Sequence, residues 1–135
     1  RWLSGLTTTV NLKPERHAAV SLTAQGAAIA TTALPIGSVT PGIWGIYTHL
    51  RVTRVGSVSG EVRLTIAFTS GAVTQTEQGT LLNGNLTTTR EGRLFTVRPD
   101  NATVISYSTA YADGGGAVSM LYSVDLVVVQ LVADN

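Results

Sequence analysis

The 135-residue chain has no cysteine and few charged residues. Without cysteine it can form no disulfide bond, no thiolate nucleophile and no cysteine-ligated zinc site. Charged residues make up 13% of the chain, about half of the roughly 25% found in ordinary soluble domains. Nine basic residues nearly balance eight acidic ones, whereas a phosphate-binding surface needs clustered positive charge. The composition therefore argues against a nucleic-acid partner.

Groups suited to acid–base chemistry are also scarce. The chain has two histidines, His17 and His49, the side chains best suited to proton transfer near neutral pH. Its carboxylates are scattered singly, and it contains neither a Gly-x-Ser-x-Gly nor a His-Glu-x-x-His motif. The run Gly114–Gly116 leads into a strand pattern without lysine, unlike a phosphate-binding loop. We therefore expect no enzymatic activity, no metal site and no cofactor.

Long apolar runs are missing as well. The most apolar stretch, Leu126–Ala133, is interrupted by Gln130, and a membrane-spanning helix needs about 20 apolar residues. We therefore expect no membrane partner.

Alternation of apolar and polar residues predicts β-strands through most of the chain. It is clearest over residues 17–23, 44–53, 61–69 and 117–132, with glycine, proline and asparagine between the segments. The count comes to about eight strands, and no window shows a helical period. This pattern predicts an all-β fold with a single antiparallel β-sandwich, jelly-roll-like in topology. A seven-stranded immunoglobulin-like sandwich fits less well, because the Cys-Trp-Cys core of such domains is missing.

Residues 1–16 do not share this alternation. They contain the run Thr7–Thr9 and Pro14, and we interpret them as an extended arm that precedes a sandwich domain over residues 17–135. Apolar side chains at the start of such an arm could anchor it in a pocket on a neighbouring molecule. An equal alternative is that Trp2 folds back onto its own sandwich.

The last strand pattern indicates a second contact surface. One face is apolar throughout, and the other begins polar but becomes apolar towards its end, so we expect that end to be covered on both sides. The candidate partner-binding residues are therefore Trp2, Leu3 and Leu6 of the arm and Val127, Val129 and Leu131 of the last strand.

The segment around Trp44 has the strongest strand pattern. A Gly56-Ser57 link separates it from the alternating residues 61–69, and we expect the two strands to form a hairpin. The predicted outward face of the first strand carries Tyr47, His49 and Arg51. An aromatic ring beside hydrogen-bonding side chains is a common sugar-binding arrangement, so these residues form a candidate glycan site.

Several segments resemble small β-rich virion structural proteins of tailed bacteriophages. The segments are PGIWGIY (41–47), LTIAFTSG (64–71), TLLNGN (80–85), ISYSTAYA (105–112) and YSVDLVV (122–128). They are turn and core patterns, so the resemblance implies a structural role on the capsid or the tail and carries over no catalytic residue. It covers roughly residues 35 to 130.

The resemblance and the composition together lead to two hypotheses. The first is a capsid decoration or cement protein on the virion surface that binds the major capsid or other virion proteins and self-associates. The low charge indicates a homo-oligomer, and the resemblance implies that a trimer is a common arrangement. The second hypothesis is a receptor- or carbohydrate-binding module of a tail fibre or tail tip, with Tyr47, His49 and Arg51 in contact with the glycan.

Overall fold

The structure is a computed structural model that describes residues 10–134, with side chains from residue 17 onward. Residues 10–134 contain no helix that could cross a membrane. They form nine β-strands: β1 (Val10–Gln25), β2 (Thr32–Ala33), β3 (Gly42–Arg54), β4 (Glu61–Ser70), β5 (Val73–Gln78), β6 (Leu82–Asn83), β7 (Arg90–Val97), β8 (Ser106–Ala112) and β9 (Leu121–Asp134). The all-β prediction is confirmed.

The strands form two antiparallel sheets. The front sheet has the order β1-β9-β3-β7, and the back sheet has the order β2-β8-β4-β5. The two-residue strand β6 pairs with β4 beside β5. Leaving β6 aside, the first strand pairs with the last, the second with the second-last, the third with the third-last and the two middle strands with each other. This is a long hairpin rolled into a sandwich, which confirms the jelly-roll prediction.

Side chains from the inner faces of both sheets fill the core. In β3 the inner face is the one predicted from the alternation, and Trp44, Ile46, Leu50 and Val52 are all buried. Each large apolar side chain that is fully buried contributes about 1.5–3 kcal/mol to folding. The other fully buried core residues include Val62, Leu64, Ile66, Ile105, Met120, Tyr122, Val124, Leu126 and Val128.

A chain of buried hydroxyl groups joins the two sheets inside this core. The Tyr122 hydroxyl of β9 donates to the Ala27 carbonyl at 2.7 Å, so the 2.6 Å hydrogen bond between Tyr122 and Thr109 of β8 takes its proton from Thr109. The Thr109 oxygen also accepts the Ile29 backbone N–H at 2.8 Å. All of these polar groups are satisfied, which is the condition for burying them without a large cost.

The first strand begins within the segment that we interpreted as an arm. Strand β1 begins at Val10 and pairs with β9 from Val10 opposite Asp134 onward. Residues 10–16 therefore belong to the front sheet, and β1 runs across the expected boundary at residue 16. Register shifts interrupt the β1–β9 pairing between Leu12 and Glu15 and between Arg16 and Ala18, which explains why residues 10–16 show no clean alternation. Residues 1–9 lie outside the described residues.

The predicted hairpin between the strands around Trp44 and residues 61–69 is wrong. These strands are β3 and β4, and they lie in different sheets. The link between them crosses the sandwich and packs against the β8–β9 connection: Ser57 N donates to the Val118 carbonyl at 2.9 Å, and a Cβ on Gly60 would lie 2.5 Å from the Ala112 carbonyl oxygen. Alternation shows which face of a strand is buried but not which strand is its neighbour.

Candidate functional site

The outer face of the front sheet brings the two sets of predicted contact residues together. Tyr47, His49 and Arg51 point outward from β3, as expected, and the Tyr47 side chain is 46% exposed. On β9, Val127 and Val129 are half-buried and alternate with the buried Val128. The predicted glycan site and the predicted apolar contact therefore share one surface.

Strand register joins the two sets directly. Tyr47 of β3 lies opposite Val127 of β9 on one side and opposite Leu94 of β7 on the other. Leu94 is 43% exposed. We call the outward-facing set of Tyr47, Leu94, Val127, Val129 and Leu131 the apolar band.

Gly45 allows the band to close over the middle of the sheet. It lies on β3 between Val129 and Thr96 of the neighbouring strands. A Cβ at this position would lie 3.0 Å from Leu131 Cδ1 and 3.2 Å from Leu94 Cδ1. Because glycine has no side chain, leucines from β9 and β7 approach each other across β3.

A polar row lies beside the band. Ser21 of β1, Asp125 of β9 and His49 of β3 occupy neighbouring positions in register. The Ser21 hydroxyl donates to Asp125 Oδ1 at 2.6 Å. In a nucleophilic triad the histidine stands between serine and carboxylate and takes the serine proton. Here the carboxylate stands between them and holds the serine hydroxyl as a donor, so the row is not arranged to activate Ser21.

Two arginines lie at the far end of the same face. Arg51 of β3 and Arg90 of β7 are directly opposite each other, and both are exposed. Gly92, opposite His49, adds no side chain, and a Cβ there would meet only His49 Cδ2 at 4.0 Å. This end of the face therefore has positive charge next to a position without a side chain.

The other histidine takes part in packing. The His17 ring lies 4.7 Å from the Trp44 ring, centroid to centroid, with an interplanar angle of 59°. Among the described side chains, residues 17–134, no group of three or more histidine, aspartate or glutamate residues is placed to hold a metal ion.

Asp100 has a role that the sequence did not reveal. Its carboxylate accepts the backbone N–H groups of Gly71 and Ala72 at 2.9 and 2.7 Å. Hydrogen bonds from Ala72 and Gly71 lower the pKa of Asp100 below its usual 3.8. The contact ties the β7–β8 connection to the β4–β5 turn, 28 residues away from Asp100 along the chain.

Leu94 is an exposed apolar residue of the band that the sequence did not single out. Phe95 and Val97, which follow it, are buried, so strand alternation alone would have placed Leu94 on the outer face. Three of the predicted partner-binding residues, Trp2, Leu3 and Leu6, lie outside the described residues.

Comparison with known proteins finds distant structural likeness. No family model and no curated protein matches the chain. Two chains from structures of infectious bursal disease virus match this chain. The chain of the Gt strain has a TM-score of 0.46 and 15% sequence identity, and the match covers 95% of this chain. The chain of the Gx strain has a TM-score of 0.49 and 14% sequence identity, and the match covers 93% of this chain. This chain spans about a third of their length, 33% and 32%. A chain of Bacillus endospore appendages, described as disulfide-linked pili, matches with a TM-score of 0.38 and 20% identity over 93% of this chain and 91% of that one. With TM-scores below 0.5, these matches carry no argument about function, and the resemblance to tailed-phage proteins stays a prediction.

Proposed function

We propose that the chain is a non-enzymatic structural protein of a virus particle, a bacteriophage capsid decoration protein that attaches to the particle surface through the apolar band. The observation that carries this proposal is the continuity of the band across β9, β3 and β7. Soluble monomeric domains rarely expose large contiguous apolar patches, and such patches mark contact surfaces.

The neighbouring polar row supports binding rather than catalysis. Asp125 holds the Ser21 hydroxyl, and His49 lies on the far side of that carboxylate. The row can therefore supply hydrogen bonds around the rim of an interface, which is where polar groups are usual. The major capsid protein, or another virion protein of the same lattice, is the partner we propose.

The test is attachment to particles of the virus that encodes the chain. Leu94→Glu places a carboxylate in the band on the exposed edge strand β7. Ala110→Glu is the matched control, because Ala110 is exposed on the back sheet. We expect cosedimentation with the particles to be lost for Leu94→Glu and kept for Ala110→Glu. Equal attachment of both variants would reject the proposed contact.

A second function, glycan or receptor binding by a tail module, is favoured by one observation. Arg51 and Arg90 are exposed side by side near Gly92, which adds no side chain to this face. This arrangement suits an acidic glycan, whose carboxylate or sulfate group could accept hydrogen bonds from both guanidinium groups. A glycan array tests it: the hypothesis requires saturable binding to acidic sugars that Arg51→Ala abolishes.

A further inference from the structure

The four edge strands of the sandwich differ in how well they are protected against pairing with another strand. Strand β1 contains Lys13, Pro14 and three register shifts, β7 contains Arg90, Gly92 and Arg93, and β2 has only two residues. Charge, proline, irregularity and short length are the usual devices that prevent edge-to-edge association.

Strand β5 has only one of these devices, a single charged residue. Its six residues, VTQTEQ, are all exposed, contain no proline, glycine, lysine or arginine, and carry one charge, Glu77. Within residues 10–134, β4 is the only strand that pairs with it. An open, regular edge of this kind is a template for an added strand.

The turn before β5 fixes the position of this edge. Gly71 and Ala72 form a two-residue connection with φ of 62° and 61°, the conformation that matches the twist of a hairpin. Asp100 accepts both of their backbone N–H groups. The edge strand is therefore held in place before any partner binds, which lowers the entropy cost of pairing.

The hydrogen-bond pattern shows which β5 residues face outward. Gly79 N donates to the Leu64 carbonyl, so odd-numbered positions on this side of the hairpin bond to β4. In an antiparallel pair these positions alternate with residues whose N–H and C=O groups point away. Thr74, Thr76 and Gln78 therefore present their backbone groups to the free edge.

We propose that β5 pairs antiparallel with β5 of a second copy, around a two-fold axis at Thr76, to form one continuous back sheet. In a symmetric antiparallel pair, outward-facing residues must meet outward-facing residues. The register centred on Thr76 pairs all three outward-facing residues. Thr76 meets Thr76 of the second copy, and Thr74 meets Gln78 of the second copy.

The side chains of β5 complement themselves in this register. Glu77 falls opposite Gln75 of the second copy, so a carboxylate meets an amide that can donate to it. A register centred on Glu77 would place two carboxylates face to face, which is unfavourable. The sequence of β5 thus favours the Thr76-centred pair over this shifted one.

This pairing rests on the proposed function, which includes the expectation that the chain self-associates. It places self-association at β5, on the back sheet, and leaves the apolar band of the front sheet free for the particle. A pair of six-residue strands buries less than the roughly 1,200 Å² of typical stable interfaces. We therefore expect a weak dimer in solution that is reinforced when many copies lie on one lattice.

The first test removes one outward N–H. Proline at an edge position with an outward N–H leaves the β4–β5 bonds intact but cannot donate to a second copy. Sedimentation equilibrium of the full chain should show at least a tenfold weaker dimer for Thr76→Pro. Thr76→Val keeps the N–H and should dimerise like the unmodified chain. Unchanged thermal unfolding would show that both variants fold.

The second test uses charge at the two-fold axis. Thr76→Asp and Thr76→Lys should each be monomeric alone, because like charges meet at the axis, and an equimolar mixture should form a heterodimer.

A Thr76→Pro dimer of unchanged strength, or a mixture of the two charged variants that stays monomeric, would overturn the β5 pairing. Loss of self-association in Leu94→Glu, with Thr76→Pro unaffected, would place dimerisation in the apolar band. Particle binding by monomeric Thr76→Pro would leave the proposed function standing.

Discussion

Tyr47 on β3 and Val127 on β9 lie directly opposite each other on the outer face of the front sheet. Tyr47 belongs to the predicted glycan site and Val127 to the predicted apolar contact, so the two hypotheses concern the same surface. A ligand or partner at one set of residues must touch or exclude the other. Variants at the two ends of this face can therefore distinguish the hypotheses.

Tyr47→Ala and Arg51→Ala should differ in their effect on particle binding. Exposed aromatic residues at the centre of an interface often contribute 2 kcal/mol or more, and about 1.4 kcal/mol is a tenfold change in affinity. We expect Tyr47→Ala to weaken particle binding at least tenfold and Arg51→Ala to change it little, as measured by cosedimentation titration. If Arg51→Ala had the larger effect, the charged end of the face would be the contact.

The buried hydroxyl chain gives a prediction about stability. Tyr122→Phe removes the hydroxyl that donates to the Ala27 carbonyl and accepts from Thr109. Leaving such buried partners unsatisfied costs about 1–3 kcal/mol, and denaturant unfolding should show a loss in this range. Tyr111→Phe is the control, because the Tyr111 hydroxyl donates only to the Met120 carbonyl and is partly buried. A smaller loss for Tyr122→Phe than for Tyr111→Phe would contradict the importance given to this network.

Asp100 should make stability depend on acidic pH. Its pKa in the folded chain lies below 3.8, because the Ala72 and Gly71 N–H groups bind the charged form. The contribution is complete above 3.8 and is lost as the pH falls through the folded-state pKa. We therefore expect the difference in unfolding midpoint between the unmodified chain and Asp100→Asn to shrink as the pH falls below 3.8. A difference that stayed constant would mean that the carboxylate charge does not hold the turn.

Two glycines with positive φ should respond differently to alanine. Gly42 has φ of 147°, and a Cβ there would lie 2.0 Å from the Val132 carbonyl oxygen, whereas Gly37 has φ of 69° and open space around it. Gly37→Ala should cost about 1–2 kcal/mol from backbone strain alone. Gly42→Ala must also push β3 away from β9, so we expect a clearly larger loss in thermal unfolding. Equal losses would show that the β3–β9 contact at Gly42 can relax.

The sequence predicted local features well and neighbours poorly. The alternation from Trp44 to Thr53 placed Tyr47, His49 and Arg51 outward, because the period of a strand does not depend on which strand lies beside it. The same alternation could not show that β3 pairs with β7 and β9 rather than with β4. That choice depends on how the whole chain packs its core.

Contacts between distant segments were the other features that escaped prediction. Nothing near Asp100 in the sequence indicates that its carboxylate holds the turn at Gly71 and Ala72. The closure of Leu94 and Leu131 over Gly45 likewise depends on three strands that are far apart in sequence. Trp2, Leu3 and Leu6 stay predicted anchors.

A cryo-electron microscopy map of the particle tests the central claim most directly, because it shows which face of the sandwich meets the lattice. We predict that the jelly roll lies on the outside of the particle with the apolar band around Tyr47 and Val127 against the capsid and the β5 edges of neighbouring copies side by side. A map in which the front sheet faces solvent, or in which the protein is absent from the particle, would contradict the account.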